Sequence, residues 1–137
     1  MKFYLASSLA NSVNADRVIN YLIWKEWMVT YDWTSHGAVE GARLMEDVSQ
    51  KEIAGVREAD VFFLLLPGRH GSHVELGAAL ALRKPVVILS PSQDLLFQDE
   101  LAFSFYWHPS VVEKIIDDDI FNLSCRAHKC GKKLVRV

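Results

Sequence analysis

The feature that most constrains the fold is the stretch from Asp60 to Gly77, which has the sequence DVFFLLLPGRHGSHVELG. Its apolar run, Val61–Leu66, stops at a proline, and short apolar runs bounded by turn residues are typical of buried strands in parallel sheets. A loop with two glycines follows, and the Ala- and Leu-rich run after it predicts a helix over Ser72–Arg83. The stretch therefore predicts a strand, a tight loop and a helix, with Glu75 in the first helical turn.

This arrangement also predicts a ligand site. In open α/β sheets, ligands bind at the carboxyl ends of the strands, which is where the glycine loop lies. The free N–H groups at a helix N-terminus bind phosphates and other anions. We therefore expect a site beside the start of this helix.

Strands and helices alternate along the rest of the chain. The predicted strands are Lys2–Ala6, Met28–Trp33, Val61–Leu66, Pro85–Leu89 and Phe103–Trp107, and the predicted helices are Ala15–Trp27, Ser49–Glu58, Ser72–Arg83 and Pro109–Asp117. This alternation predicts a three-layer α/β fold, flavodoxin-like or Rossmann-like, with helices on both faces of a five-stranded parallel sheet of order 2-1-3-4-5. We expect one domain over residues 1–137, with no clear period from Asp118 to Val137. The long loop from Thr34 to Val48 indicates a lid or wall of a functional site.

Composition excludes several classes of protein. Half of the 137 residues are hydrophobic, which suits a sizeable core, and the net charge of -2 argues against binding to a nucleic acid polymer. No apolar run approaches the ~20 residues that a membrane helix needs, and the N-terminal run is too short for a signal peptide. Two cysteines do not make the disulfide framework of a secreted domain. We expect a soluble, cytoplasmic protein that does not bind membranes.

The loops that follow the first three strands carry most of the candidate site residues. In a sheet of this order these loops open on one edge, where strands one and three diverge. Their polar, aromatic and small residues are Ser7, Ser8, Asn11, Trp33, His36, Arg69, His70, Gly71 and Ser72.

Two glutamates fit either a structural or a chemical role. Ser72-x-x-Glu75 and Ser49-x-x-Glu52 both match a capping box, in which the glutamate only satisfies a backbone N–H. Both helices are also expected to begin at the ligand edge of the sheet. Glycosyl chemistry uses two carboxyl groups, one that stabilises or attacks the sugar carbon and one that protonates the leaving group. The pattern leaves both interpretations open.

Other candidates carry similar alternatives. Tyr4 is either a core residue or a site residue, and Trp33, beside His36, either stacks on a flat base or covers the core. Arg69 has a guanidinium fork that matches phosphate oxygens, although a solvated loop arginine is the simpler interpretation. His73 lies near the same anion site.

The sequence supports neither a metal nor a cofactor. Cys125, His128 and Cys130 offer three local ligands, whereas a structural zinc needs four at a recognised spacing. GxxxxGK[ST] and GxGxxG are both absent, so nothing indicates an ATPase or a nicotinamide-dependent enzyme. We expect no cofactor and free cytosolic thiols.

Four short motifs together resemble the nucleoside 2-deoxyribosyltransferase family, which includes the 2′-deoxynucleoside 5′-phosphate N-hydrolases and the cytidine-monophosphate glycosidases. The motifs are Tyr4-Leu5-Ala6-Ser7, Tyr31-Asp32-Trp33, Ala59-Asp60-Val61 and Gly71-Ser72-x-x-Glu75-Leu76-Gly77. The resemblance runs from about Lys2 to Leu89.

The resemblance implies cleavage of the N-glycosidic bond of a nucleoside or nucleotide. The family's nucleophilic glutamate falls on Glu75, and the tyrosine that orients it falls on Tyr4. An acidic residue that helps protonate the leaving base falls on Glu52, where the family usually has Asp. The sugar would pass to water or to a second base. A homodimer or larger assembly is implied as well.

Two positions set this chain apart from the family. Arg69 stands where the deoxyribosyltransferases have an acidic residue and the nucleotide hydrolases have a phosphate-binding serine. Ser8 matches a phosphate-contacting serine of the hydrolases, but the arginine that follows there is Ala10 here. We therefore favour a phosphorylated substrate, such as a nucleoside 5′-monophosphate, over a free nucleoside.

Two further functions fit parts of the sequence. A nucleotide-sensing module would keep the pocket without turnover. A phosphoribohydrolase of the lysine-decarboxylase-like type has a Pro-Gly-Gly-x-Gly-Thr-x-x-Glu element that Pro67 to Glu75 partly matches, but its second, arginine-bearing motif is not found.

Overall fold

The structure is a computed structural model, and it describes residues 1–97 and 104–134. The strands are β1 (Lys2–Ala6), β2 (Met28–Val29), β3 (Val61–Leu65), β4 (Val86–Ser90) and β5 (Val111–Ile116), and the helices are α1 (Ser12–Trp24), α2 (Ala42–Glu58), α3 (His70–Ala81) and α4 (Ile120–Leu134). Short 3-10 turns occur in several of the connections.

The strands form one parallel sheet, which confirms the predicted fold class. Within the described residues the sheet has five strands in the order β2-β1-β3-β4-β5. Tyr4 of β1 pairs with Phe62 of β3, and Phe62 pairs with Val86 of β4. Helices α1 and α4 pack against each other, as do α2 and α3, so the two pairs cover the sheet. This order places the ends of β1 and β3 side by side at the predicted ligand edge.

The two faces of the sheet bury different aromatic clusters. On one face Tyr4 stacks on Phe62, with ring centroids 5.7 Å apart. On the other face Phe3 and Phe63 pack around Trp27. Because successive side chains of a strand point to opposite faces, Phe3 and Tyr4 serve different layers. Tyr4 therefore belongs to the layer that also contains α2 and α3.

The boundaries around β2 differ from prediction. β2 ends at Val29 rather than at Trp33, because the chain turns at Asp32, whose side chain accepts a hydrogen bond from the Thr34 N–H at 3.0 Å. The predicted helix start at Ser49 is wrong, since α2 begins at Ala42. The Ser49 hydroxyl lies in mid-helix and donates to the Glu46 carbonyl at 2.8 Å, so the capping interpretation of Glu52 is also wrong.

The C-terminal third also differs from prediction. A strand, Val111–Ile116, replaces the predicted helix over Pro109–Asp117, because its β-branched residues pair in parallel with β4. The predicted strand over Phe103–Trp107 is a 3-10 turn at Ser104–Trp107, and Phe103 lies outside the described residues.

The segment after Asp117, for which no period was evident, forms α4. Its buried stripe consists of Leu123, Ser124, Ala127 and Gly131, which recur at helical spacing, so the sequence analysis missed a period that is present. The stripe packs against α1 and the Trp27 ring. None of the helices in residues 1–97 and 104–134 is both long and apolar enough to cross a membrane.

Gly131 is expected to be intolerant of any side chain. A Cβ at this position would lie 2.3 Å from Cη2 of the buried Trp27 ring. Gly131→Ala should therefore lower the free energy of unfolding by about 1–2 kcal/mol, because overpacking exceeds the gain in helix propensity. Gly77→Ala is the matched control: nothing lies within 4 Å of a Cβ there, so it should raise the free energy by about 0.5–1 kcal/mol. Urea unfolding of the two variants would check both signs.

Candidate active site

A cleft of about 390 Å³ opens at the carboxyl ends of β1 and β3. Three loops and two helices form its walls. The lining residues are Ser7, Ser8, Leu9, Trp33, His36, Gly37, Ala38, Val39, Glu52, Arg69, His70, Gly71, Ser72 and Glu75. The cleft therefore lies at the edge where the sequence predicts a ligand site.

Glu75 lies at the base of the cleft and is hydrogen-bonded to Tyr4. Helix α3 begins at His70, two residues earlier than predicted, so Glu75 falls in the second helical turn and not in the first. Its side chain is 6% exposed, and its Oε2 accepts a hydrogen bond from the fully buried Tyr4 hydroxyl. The hydrogen bond that caps the N-terminus of α3 is made by Ser72 instead, whose hydroxyl accepts from the Arg69 N–H at 2.8 Å. The capping interpretation of Glu75 is therefore wrong.

Burial controls the protonation of this pair. The pKa of Glu75 is raised to about 8, chiefly by desolvation; the hydrogen bond from Tyr4 lowers this pKa, and Glu52 raises it through its negative charge and a hydrogen bond. Burial, followed by the charge of Glu75, also raises the pKa of Tyr4 well above its ordinary value. Tyr4 thus remains a hydrogen-bond donor, and Glu75 is a carboxyl group that can be either protonated or ionised near neutral pH.

Glu52 reaches the cleft from the middle of α2. It is half-buried, and its charge acts on Glu75, Tyr4 and Tyr31, each of which has its pKa raised by it. Gly55, one turn along, allows this approach. A Cβ there would lie 3.0 Å from both the Tyr4 ring and the Tyr31 Cβ, so α2 can lie against β1 only where a side chain is missing. Two carboxyl groups therefore share one cleft.

Trp33 and His36 form the wall that follows β2. The Trp33 indole N–H donates to the Leu5 carbonyl at 2.7 Å, which fixes the ring beside β1. His36 Nδ1 donates to the Gly37 carbonyl at 2.8 Å, so Nε2 is the acceptor for the Tyr31 hydroxyl, also at 2.8 Å. Because both ring nitrogens of His36 are engaged, His36 braces this wall.

The serines after β1 have different roles. The Ser7 hydroxyl donates to the Leu65 carbonyl at 2.8 Å and accepts from Asn11 Nδ2 at 3.0 Å, so it joins the loops after β1 and β3. Asn11 does not line the cleft. Ser8 is 5% exposed, and its hydroxyl makes no hydrogen bond to the described residues, which leaves it available to a ligand in the cleft.

Arg69, His70 and Gly71 form an exposed, positively charged entrance at the start of α3. The Arg69 guanidinium takes part in none of the ion pairs found within residues 1–97 and 104–134. The first N–H groups of α3 have no partner within the helix. This end of the cleft suits an anion, whereas the opposite end holds the two carboxyl groups.

The structure brings together most of the residues singled out from the sequence. Tyr4 lies behind Glu75, and the other candidates, Ser7, Ser8, Trp33, His36, Glu52, Arg69, Gly71, Ser72 and Glu75, line the cleft. His73 is turned away: its ring bonds to the Arg69 carbonyl and to Tyr106. The sequence analysis missed Leu9 and Gly37–Val39, although the latter belong to the long loop predicted to form a wall.

Two solved structures share the fold of this chain, a five-stranded parallel sheet of order β2-β1-β3-β4-β5 with helices. The CMP N-glycosidase BcmB of Clostridium botulinum has a TM-score of 0.68 and 17% sequence identity, over 95% of this chain and 99% of BcmB. BlsM has a TM-score of 0.76 and 21% identity, over 98% of this chain and 91% of BlsM. At such identities the similarity is one of fold.

No protein-family model and no curated protein matches the chain by sequence. Nor do the described parts of the chain contain a group of three or more His, Cys, Asp or Glu side chains that could hold a metal ion. Cys125 and Cys130 are free, half-buried thiols on α4, far along the chain from the cleft residues.

Proposed function

We propose that this protein cleaves the N-glycosidic bond of a nucleoside or nucleoside 5′-monophosphate, with Glu75 as the nucleophile. The observation that carries the proposal is the buried hydrogen bond from Tyr4 to Glu75 at the base of a cleft that also contains Glu52. A buried carboxyl group with one dedicated hydrogen-bond donor is held in a fixed orientation, which a nucleophile requires. The glycosidase BcmB, which has the same fold, supports this reaction class.

We assign each group a part in the reaction. Ionised Glu75 attacks the anomeric carbon, and the C–N bond to the base breaks as a glycosyl ester forms. In the resting protein Glu75 holds the proton and Glu52 is charged, so this proton first passes from Glu75 to Glu52, which then donates it to the departing base, and the base leaves neutral. Water, or a second base, then attacks the anomeric carbon and releases Glu75, and the proton that the attacking molecule loses goes to Glu52. The positive charge that develops on the sugar favours the ionised form of Glu75, which burial alone disfavours.

The charged entrance of the cleft favours a substrate with a 5′-phosphate. Arg69 supplies a guanidinium fork, Ser8 a buried hydroxyl, and the start of α3 free N–H groups. Trp33 forms the aromatic side of the cleft, beside which a flat base can lie. We also propose, from the composition, that the protein works in the cytoplasm and, from the family resemblance, that it forms a homodimer or larger assembly.

Chromatographic detection of the free base would test the proposal. Purified protein is incubated with paired ribo- and deoxyribo-substrates, each with and without a 5′-phosphate, beginning with CMP and cytidine. We expect release of the base from at least one member of this panel. Adding a second base separates a transferase, which exchanges bases, from a hydrolase, which does not. A folded protein that releases no base from any member would contradict the proposal.

Tyr4→Phe is expected to lower kcat by about 10–100-fold, because it removes one charge-assisted hydrogen bond from the nucleophile. The same loss should raise the pKa of Glu75, since the Tyr4 hydroxyl lowers it in the native site. The alkaline side of the pH–rate profile, on which the carboxyl pair loses its proton, should therefore move to higher pH, and a merely structural tyrosine would not cause this shift. An unchanged profile would show that Tyr4 does not act through Glu75.

A further inference from the structure

The His73 ring connects the start of α3 to a distant segment of the chain. Its Nδ1 lies 2.7 Å from the Arg69 carbonyl, and its Nε2 lies 2.6 Å from the Tyr106 hydroxyl. The carbonyl can only accept, so Nδ1 carries the proton, Nε2 accepts, and the Tyr106 hydroxyl donates. Burial raises the pKa of Tyr106 to about 12, so this hydroxyl keeps its proton at neutral pH.

The Arg69 backbone is held on both sides of its Cα, at the carbonyl by His73 and Ser72 and at the N–H by Ser72. The Arg69 carbonyl accepts from His73 Nδ1, from the His73 N–H at 3.1 Å and from the Ser72 hydroxyl at 2.8 Å. The Arg69 N–H donates to the same Ser72 hydroxyl, also at 2.8 Å. The exposed arginine side chain therefore extends from a backbone with little freedom, although it lies in a loop.

The His73–Tyr106 pair is packed and leaves no room for a ligand. Tyr106 is 2% exposed, and the cavity between these rings and the loop at Pro67 and Gly68 holds about 20 Å³, space for no more than a water molecule. A Cβ at Gly68 would lie 3.0 Å from the His73 ring. The pair can therefore influence a ligand only through the residue to which it is hydrogen-bonded, Arg69.

We propose that His73 and Tyr106 are positioning residues for Arg69 and thereby set the preference of the cleft for phosphorylated over unphosphorylated ligands. The inference rests on the proposed function only in assigning the phosphate to Arg69. An arginine binds phosphate through two parallel N–H···O bonds, which require a defined direction of approach. A guanidinium on a mobile loop would lose affinity to the ordering of both backbone and side chain, whereas one on a fixed backbone loses affinity only to the ordering of its side chain.

Calorimetric titration with CMP and with cytidine would test the inference. Arg69→Ala should raise the Kd of CMP by about 10–100-fold, as expected for a lost charged hydrogen bond, and change that of cytidine less than twofold. Tyr106→Phe should raise the Kd of CMP by about 3–10-fold with cytidine again unaffected. His73→Asn, whose amide can still donate to the Arg69 carbonyl, should cost less than His73→Ala. Val74→Ala, on the exposed side of α3, is the control and should change neither Kd.

A double variant separates positioning from general structure. With Arg69 already replaced by Ala, Tyr106→Phe should not change the Kd of CMP further, because the guanidinium that Tyr106 positions is gone. The inference fails if Tyr106→Phe still raises the Kd of CMP in the Arg69→Ala protein, or if it raises the Kd of CMP and of cytidine equally. It also fails if the unaltered protein binds CMP no more tightly than cytidine. Selective CMP binding with the expected dependence, in a protein that releases no base, would support the inference and reject only the proposed activity.

Discussion

Glu75→Gln is expected to lower kcat for base release by about 10⁴-fold or more while nucleotide binding persists. Glutamine has nearly the same shape, and its amide oxygen can still accept the Tyr4 hydrogen bond. Glutamine cannot form the glycosyl ester. Water must then displace the base directly, in one difficult step, because formation and hydrolysis of the ester are no longer possible. Chromatography with CMP would measure turnover, and calorimetry would measure the Kd of CMP for the same samples.

Glu58→Gln is the matched control, since it makes the same substitution at the exposed end of α2, outside the cleft. It should leave kcat within about twofold of the unaltered protein. Glu75→Gln turnover within tenfold of the unaltered protein would contradict the nucleophile assignment. Tight CMP binding by both proteins, with base release by neither, would favour the sensing module, the alternative left open by the sequence.

The central strands could be predicted because their sequences allow few other structures. β3 and β4 are buried on both faces, so they are continuous apolar runs, and their order follows from the right-handed connections of a parallel sheet. The edge strand β5 is different: Glu113 and Lys114 interrupt its β-branched residues, and the preceding Pro109 is equally typical of a helix start. Pairing with β4, a long-range contact, decides in favour of the strand.

The location of the site could be predicted, but the directions of its side chains could not. Topology alone brings the loops after β1, β2 and β3 to one edge. Whether Glu75 caps its helix or faces the cleft depends on where α3 begins. If the start of the helix moves by two residues, a given side chain is rotated about the helix axis by roughly 200°. The Ser72 hydroxyl fixes that start by bonding to both polar groups of the Arg69 backbone. The same shift directs His73 away from the anion site.

Glu75 should also make the stability of the protein depend on pH. Burial raises its pKa from an ordinary 4.5 to about 8, so between these values the folded chain keeps a proton that the unfolded chain has released. The stability that comes from the protonated group is therefore fully present below about pH 4.5 and is lost as the pH rises through about 8. Glu75→Gln has no such proton. It should match the unaltered protein near pH 4.5 and exceed it by on the order of 2–4 kcal/mol above pH 8.

Activity should be lost over the same pH range, because the reaction uses the proton that the two carboxyl groups share. With a pKa of about 8 for Glu75 in the free protein, kcat/KM should be nearly level below pH 7 and fall by nearly tenfold per pH unit above pH 8. The profile should be measured with a nucleoside as well, since a phosphate itself titrates near pH 6. Urea unfolding of the unaltered protein and Glu75→Gln across the same range gives the stability difference. If the stability difference does not change with pH while kcat/KM already falls above about pH 5, Glu75 ionises like an exposed carboxyl group, and the buried arrangement with Tyr4 is not the catalytic one.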